Sequence, residues 1–177
     1  MITFTSGNLL DIPADIRINT VNCVGVMGAG VALAFRKKYP EMFREYQKAC
    51  KSGNIMPGKL FIWKNFSGDW IINVPTKRHW KELSRYEDIE SGLIALHDYL
   101  KDKGHVRVVL PALGCGHGGL DWERVKIMIK KYLGELEAMI MVFEPLDSIK
   151  AGWTSDSRTS SKSICPSNAF LNTHAAP

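Results

Sequence analysis

Residues 19–35 read NTVNCVGVMGAGVALAF, and this stretch decides the fold class. A run of strand-forming residues ends at Asn22, Gly25, Gly28 and Gly30 follow it, and helical spacing begins at Ala29. A strand, a glycine-rich turn and a helix in this order are typical of an α/β sheet. Glycines this close together also let the backbone come very near a ligand. The stretch therefore predicts a strand–loop–helix unit with a binding loop at its turn.

The composition is that of an ordinary globular chain with its own core. Of the 177 residues, 45% are hydrophobic and 23% are charged, which fits one domain. No apolar run reaches the roughly 20 residues that span a bilayer, and the first residues lack the pattern of a signal peptide. The formal net charge of +5 favours a polyanionic partner or substrate, although a surplus this small also fits a solvated surface.

The cysteines indicate the compartment and argue against a metal. The four of them are scattered without the CxxC spacing of a zinc site or the pattern of a disulfide framework. Free cysteines of this kind are typical of a reducing environment. We therefore expect a cytoplasmic protein without a bound metal and without membrane association.

Strand and helix signals alternate along the first 145 residues. Strands are predicted at 2–5, 16–22, 59–65, 70–75, 106–111 and 138–145, the third and fourth forming a hairpin. Helices are predicted from Ala29, after Pro40, after a capping box at 84–87, and after Asp121. The sum predicts an α/β fold, a three-layer α/β/α sandwich with a central mixed sheet.

The end of the chain has a different composition. Residues 154–163 read TSDSRTSSKS, and no periodicity follows them. We predict a domain at 1–150 and a disordered Ser/Thr-rich tail at 151–177. A linker to a further domain or a reading-frame artefact would have the same composition.

Several predicted strands end at a candidate site. Three of them end in proline, at Pro75, Pro111 and Pro145, and proline interrupts a strand ladder. In open α/β sheets ligands bind beyond the carboxyl ends of the strands. The loops after Asn22 and after the three prolines are therefore the expected site.

A second glycine cluster lies in one of these loops. Residues 111–122 read PALGCGHGGLDW, between a buried strand and a helix. Backbone N–H groups of such a loop, with a helix N-terminus, form a cradle for phosphate. The two glycine loops could clamp a pyrophosphate, or both could be ordinary tight turns. Neither matches GxGxxG or a P-loop, and His117 is either a ligand contact or an exposed side chain.

A third loop combines cations and an aromatic ring. Residues 74–86 read VPTKRHWKELSRY and follow a buried strand directly. A solvated basic loop is one interpretation. Because the loop leaves the same edge of the sheet as the glycine loops, Lys77 is also a candidate for catalysis or anion binding. To react as a free amine it would need a lowered pKa, which partial burial beside Trp80 and the neighbouring cation Arg78 would give.

Three motifs together resemble a known family. They read TSGNLLDIPADIRINTVNCVGVMGAGVALAFRKKYP at 5–40, NVPTKRHW at 73–80 and LPALGCGHGGLDW at 110–122. In this order they resemble the macro domain, the ADP-ribose-binding fold, and within it the branch of DarG antitoxins and terminal ADP-ribose glycohydrolases. The resemblance spans residues 1 to about 145 and implies a macro-domain-like sandwich.

The resemblance also implies residue roles. Asn22 would orient the distal ribose, and Lys77 would be the catalytic lysine, acting at the anomeric carbon as nucleophile or electrostatic stabiliser. Asn8 stands where many macro domains have an adenine-binding aspartate, and Phe143 would lie under the adenosine. The implied ADP-ribose contacts are Asn8, Leu9, Val24, Gly25, Met27, Gly28, Gly30, Val31, Thr76, Gly114, Cys115, Gly116, His117, Gly118, Gly119 and Phe143.

One departure from the family pattern directs the choice of substrate. In relatives that act on ADP-ribosylated glutamate, an aspartate of the glycine loop works with the lysine, and here that position is Gly118. The departure favours the DNA-acting antitoxin group, with Trp80 stacking an unpaired base.

The predicted activity is that of a DNA ADP-ribosyl glycohydrolase. It would remove mono-ADP-ribose from modified DNA bases as a monomer, without a dissociable cofactor, and a cognate ADP-ribosyltransferase toxin would be its partner. The alternatives are a non-catalytic ADP-ribose-binding module, a hydrolase of ADP-ribosyl-glutamate on proteins, and an ADP-ribose 1″-phosphate phosphatase.

Overall fold

The computed structural model describes residues 1–145, so the predicted tail lies outside the described residues. A single six-stranded sheet runs through this part of the chain in the order β1-β6-β5-β2-β4-β3. Its strands are β1 (Ile2–Thr5), β2 (Ile16–Asn22), β3 (Phe61–Lys64), β4 (Trp70–Lys77), β5 (Arg107–Pro111) and β6 (Met139–Phe143). Four of the pairings are parallel, and only β3 runs antiparallel to its neighbour β4. The predicted mixed sheet and its hairpin are confirmed.

Helices cover both faces of the sheet. They are α1 (Gly30–Lys38), α2 (Pro40–Lys51), α3 (Tyr86–Leu100) and α4 (Trp122–Leu133). One apolar cluster joins the sheet to α3 and α4, and a second joins it to α1 and α2. Alternation along β5 divides its side chains between the clusters, since Val108 and Leu110 lie in the first and Val109 in the second. The predicted three-layer α/β/α sandwich is therefore confirmed.

The strand β4 differs from its prediction. It continues through Pro75 to Lys77, because the register against β2 shifts between Val21 and Asn22 and pairs Asn22 with Lys77. A proline has no N–H to donate, and this irregularity lets the ladder resume beyond it. Lys77 is consequently the last residue of a strand rather than part of a loop.

The predicted capping box before α3 is wrong. The N-cap of α3 is Arg85, no side chain caps the helix, and the Ser84 hydroxyl is buried without a hydrogen-bond partner. Ser84 lies one residue too early because its backbone N–H donates to the carbonyl oxygen of Gly118 at 3.0 Å. The cap at Asp121 is confirmed, since its carboxylate accepts the N–H of Arg124 at 2.8 Å.

Within residues 1–145 no helix has the length and apolar character needed to cross a membrane. In the same part of the chain no group of three or more histidine, cysteine or acidic side chains is arranged to hold a metal ion.

Candidate functional site

A cleft of about 1050 Å³ opens at the edge of the sheet where the parallel strands end. The loops after β1, β2, β4, β5 and β6 all reach it, as expected for strands that run in the same direction. It is lined by Gly7, Leu9, Thr20, Val21, Asn22, Val26, Gly28, Ala29, Gly30, Val31, Ala32, Thr76, Lys77, Trp80, Lys81, Ser84, Pro111, Ala112, Gly114, Cys115, Gly116, His117, Gly118, Phe143, Glu144 and Pro145.

The N-terminus of α1 forms one wall of this cleft. Its N-cap is Ala29, no side chain caps it, and its first turn holds no acidic residue. Residues 28–32 all line the cleft. The first N–H groups of a helix have no partner inside the helix and carry partial positive charge. This wall is therefore suited to an anion such as a phosphate.

The glycine loop after β5 forms the opposite wall. Gly114 and Gly118 are buried, whereas Gly116 and His117 are exposed at the tip. The loop is closed by bonds from the N–H of Gly119 to the carbonyl of Gly116 and from Leu120 to Gly114. Among the hydrogen bonds within residues 1–145, none uses the N–H groups of residues 116–118. Consecutive free N–H groups of this kind form an anion-binding nest.

The two walls approach each other closely. Gly30 has a φ of +56°, and a Cβ at this position would lie 3.6 Å from the ring of His117. A side chain larger than alanine would extend into the space between the loops. The glycine therefore keeps the space between the two walls open.

Asn22 folds the loop between β2 and α1. Its Oδ1 accepts the N–H groups of Val24 at 3.1 Å and Val26 at 3.3 Å, and its Nδ2 donates to the carbonyl of Val26 at 2.6 Å. The Tyr46 hydroxyl donates to Asn22, 2.6 Å from its carbonyl oxygen and 3.0 Å from Oδ1. Asn22 lines the cleft, but its acceptor is fully used by the loop itself. Any ligand contact of this side chain must come from the second hydrogen of its amide.

Lys77 lies at the mouth of the cleft. Its ammonium donates to the carbonyl oxygen of Trp80 at 3.3 Å. Its own backbone is tied to the first loop, since its carbonyl accepts the Cys23 thiol at 3.5 Å. Partial burial lowers the pKa of Lys77 below its usual value. A lowered pKa increases the fraction of free amine, which is the nucleophilic form.

The expected influence of Arg78 on Lys77 is wrong. Arg78 is held by two hydrogen bonds of 3.0 Å to the buried carboxylate of Asp88. The ion pair neutralises the guanidinium charge that was expected to act on the amine. Burial is accordingly the cause of the lower pKa of Lys77.

The position of Gly118 has no room for a side chain. A Cβ there would lie closer than 3.0 Å to the carbonyl oxygen of Gly114 and to the Oγ of Ser84. The space that a side chain at 118 would fill is therefore occupied by another loop. The absence of an aspartate at this position is a property of the packing, not only of the sequence.

The thiols near the cleft are poor nucleophiles. Burial raises the pKa of Cys23 to about 11 and that of Cys115, which lines the cleft, to about 12. A thiol reacts as the thiolate, and at neutral pH these two groups are almost entirely protonated. Lys77 is thus a better candidate for the reacting group than either cysteine.

Most of the predicted contact residues line the cleft. These are Leu9, Asn22, Gly28, Gly30, Val31, Thr76, Lys77, Gly114, Cys115, Gly116, His117, Gly118 and Phe143. Five others do not: Asn8, Val24, Gly25, Met27 and Gly119. Met27 is completely buried in the core, and the Oδ1 of Asn8 already accepts the N–H of Leu10 at 3.1 Å. The individual ligand contacts stay predictions.

Two residues of the site were missed by the sequence analysis. Tyr46 anchors Asn22, but its spacing with Met42 on α2 predicts only a core position. Ser84 lies against the glycine loop, but its spacing to Glu87 predicts a helix cap. Neither contact leaves a local signal, because each joins segments that are distant in sequence.

Known proteins share this fold and much of this sequence. The model of the macro domain family matches residues 18–129. A DNA ADP-ribosyl glycohydrolase of Mycobacterium tuberculosis is 44% identical over 148 residues, which are 82% of this chain and 42% of that protein. A DNA ADP-ribosyl glycohydrolase of Thermus aquaticus is 41% identical over 155 residues, 85% of this chain and 43% of that protein. The chain thus spans less than half the length of these curated relatives.

The solved structures agree with the sequence comparisons. The macrodomain of Thermus aquaticus DarG superposes with a TM-score of 0.76 at 41% identity, over 82% of this chain and 99% of that one. The Thermosipho africanus DarTG in complex with ADP-ribose gives a TM-score of 0.76 at 33% identity, over 82% of this chain and 42% of that one. With the family model matching residues 18–129 and relatives more than 40% identical over most of the chain, the chain belongs to the macro domain family.

Proposed function

We propose that this chain is a DNA ADP-ribosyl glycohydrolase that removes mono-ADP-ribose from modified DNA bases. Its partner would be an ADP-ribosyltransferase toxin, whose modification it reverses. Cys23, Cys50 and Cys115, the cysteines of the described part of the chain, are free, which favours a cytoplasmic location for this activity.

The anion-binding walls support ADP-ribose as the part of the substrate that is held. The N-terminus of α1 and the N–H groups of residues 116–118 face the same cleft, and a diphosphate carries the charge that both attract. Because these donors belong to the backbone, they hold the ligand without taking part in the reaction. The reacting group must then be a side chain nearby.

The single observation that carries the proposal is Lys77 at the mouth of this cleft without a free carboxylate beside it. Within residues 1–145, Glu144 is the one acidic residue that lines the cleft, and the ammonium of Lys126 donates to its carboxylate at 2.9 Å. A water molecule therefore has no evident carboxylate base, whereas the amine of Lys77 has a lowered pKa. This favours attack by the lysine itself.

The reaction would proceed in two stages. The free amine of Lys77 attacks the anomeric carbon of the distal ribose, and the bond from that carbon to the DNA base breaks. The base leaves with the bonding electrons and takes up a proton. Opening of the sugar gives a Schiff base, and water then hydrolyses it, which releases ADP-ribose and restores the amine.

The relatives support DNA as the modified substrate. The proteins at 41–44% identity are named DNA ADP-ribosyl glycohydrolases. A relative in Thermosipho africanus is named a fusion of a DNA ADP-ribosyl transferase with a DNA ADP-ribosyl glycohydrolase. That fusion favours a transferase as the partner of this chain as well.

The test offers an ADP-ribosylated single-stranded oligonucleotide and a protein with ADP-ribosyl-glutamate side by side. We expect release of ADP-ribose from the oligonucleotide at the higher rate. Efficient turnover of the protein with untouched DNA would refute the DNA assignment. Binding of ADP-ribose without release from either substrate would indicate a binding module, and phosphate release from ADP-ribose 1″-phosphate would indicate the phosphatase.

Variants of Lys77 test the chemistry. Lys77→Ala should abolish turnover while ADP-ribose still binds, and Lys77→Arg should also be inactive because a guanidinium forms no imine. Lys51→Ala, in the last turn of α2 and away from the cleft, is the matched control and should keep full activity. An active Lys77→Arg enzyme, or no covalent adduct on borohydride trapping, would count against the nucleophile.

A further inference from the structure

We propose that the indole ring of Trp80 is a stacking subsite for an unpaired base of the substrate strand, with Lys81 binding the adjoining phosphate. The inference rests on the proposed function, which has a DNA strand leaving the cleft beside Lys77. It adds the way in which the enzyme would recognise the strand rather than the ADP-ribose.

Trp80 lies where the strand would leave the cleft. Its carbonyl oxygen accepts the Lys77 ammonium at 3.3 Å, so its ring and the proposed reacting group belong to the same short segment. The proposed diphosphate cradle lies between α1 and the glycine loop. If Lys77 acts on the bond between ribose and base, the base and its neighbours extend outward past residue 80.

The ring of Trp80 is half-exposed and is supported by a neighbouring ring. It is 48% exposed, and the ring of His79 stacks against it with centroids 5.7 Å apart and planes at 26°. The N–H of Lys81 donates to the Nδ1 of His79 at 3.2 Å and so fixes the supporting ring. A supported, half-exposed indole offers a flat surface to a base, since bases stack on aromatic side chains regardless of their identity.

A cation accompanies the platform. The ammonium of Lys81 lies 5.0 Å from the centre of the Trp80 ring, and both residues line the cleft. Arg78 is engaged by Asp88 and Lys77 is assigned to the reaction, so Lys81 is placed to meet a phosphate beside a stacked base. Alternating rings and cations are the pattern by which proteins hold single strands.

Apolar neighbours extend the surface around the ring. Leu83 is 70% exposed in the same segment, and Val26 is exposed on the loop after β2. In the described part of the chain the other strongly exposed ring is Phe66, in the turn between β3 and β4. That turn precedes β4, whereas the cleft lies at the carboxyl end of β4. Phe66 is therefore at the opposite end of the strand from the cleft.

The experiment compares two substrates that share the ADP-ribosylated base. One is a single-stranded oligonucleotide, and the other is the corresponding ADP-ribosylated mononucleotide. Trp80→Ala should lower kcat/KM on the oligonucleotide about 10- to 100-fold more than on the mononucleotide, mainly through KM. Trp80→Phe keeps a ring and should recover most of the loss. Phe66→Ala is the matched aromatic control and should change neither value.

Binding supplies a readout that does not depend on turnover. In the presence of saturating ADP-ribose, an unmodified single strand should bind the wild-type protein more tightly than Trp80→Ala, and Lys81→Ala should reduce the salt dependence of that binding by about one phosphate contact. If the wild-type protein binds the unmodified strand but releases no ADP-ribose from the ADP-ribosylated oligonucleotide, the proposed function fails and the subsite stands. Equal losses on both substrates, together with unchanged strand binding in Trp80→Ala, would overturn the subsite alone.

Discussion

Replacing Gly118 with alanine tests the packing of the glycine loop. The added Cβ would lie closer than 3.0 Å to the carbonyl of Gly114 and to the hydroxyl of Ser84, whereas a Cβ at Gly116 would meet nothing within 4 Å. Neither glycine has a positive φ, so the two substitutions differ in available space and not in backbone strain. The pair isolates the steric effect.

The magnitude follows from the atoms that would clash. One of them is a backbone carbonyl, which cannot rotate away as a side chain can, so the loop must move. Overpacking of this kind costs about 1–3 kcal/mol in the free energy of unfolding, and for a domain near this size each kcal/mol lowers Tm by about 2–4 °C. We expect Gly118→Ala to lower Tm by about 2–12 °C, and Gly116→Ala to stay within about 0.5 kcal/mol of the wild type.

The assay is thermal unfolding with and without ADP-ribose, supported by calorimetric titration of the ligand. Gly118→Ala should also weaken ADP-ribose binding, because the displaced segment carries the free N–H groups of residues 116–118. Adding Ser84→Gly removes one of the two clashes and should restore part of the stability but not all of it. A Gly118→Ala protein with the stability and affinity of the wild type, or a Gly116→Ala protein that loses as much, would refute the packing described here.

Three further outcomes are expected. If Lys77 reacts as a free amine, kcat/KM rises with pH up to the pKa of Lys77, which burial holds below its usual value. A role for the ammonium would give the opposite slope in a pH–rate profile. Tyr46→Phe removes the hydroxyl that donates to Asn22, and should lower the free energy of unfolding in denaturant by about 1–3 kcal/mol. The first glycine loop should also become less ordered, which faster hydrogen exchange at residues 23–28 would show. Asp121→Ala removes the cap of α4 and should cost about 1 kcal/mol by the same unfolding measurement without changing turnover.

The fold was largely predictable because its signals are local. The strand at 16–22 has the predicted bounds, and the face of α3 with Ile89, Leu93, Leu96 and Leu100 is buried as its spacing indicates. The errors arise where a distant segment decides the outcome. Pro75 lies within β4 because the register with β2 shifts beside it. Ser84 does not cap α3, because its backbone N–H is hydrogen-bonded to Gly118 instead.

The site was predictable in its loops but not in its internal support. Clustered glycines at strand ends predict close backbone approach, and both clusters do reach one cleft. The hydrogen bond from Tyr46 to Asn22 joins residues 24 apart in the sequence, and no spacing pattern predicts it. The same holds for the ion pair of Arg78 with Asp88, which joins residues ten apart and leaves the guanidinium charge unavailable to Lys77.

In the proposed reaction, backbone groups bind the substrate and one side chain reacts with it, which explains why a glycine loop and a single lysine suffice. The donors at the start of α1 and at residues 116–118 belong to the backbone, and Asn22 is occupied by the loop that it folds. In the proposed reaction, binding would therefore be insensitive to most side chains, and the chemistry would rest on the amine of Lys77. Because Ser84 fills the space beside Gly118, a carboxylate cannot be added there without moving the loop that holds the ligand. A mechanism assisted by a carboxylate at this position would then require substitutions at both Ser84 and Gly118 and a different backbone position for Gly114. A site with the lysine alone is therefore the arrangement that this packing permits.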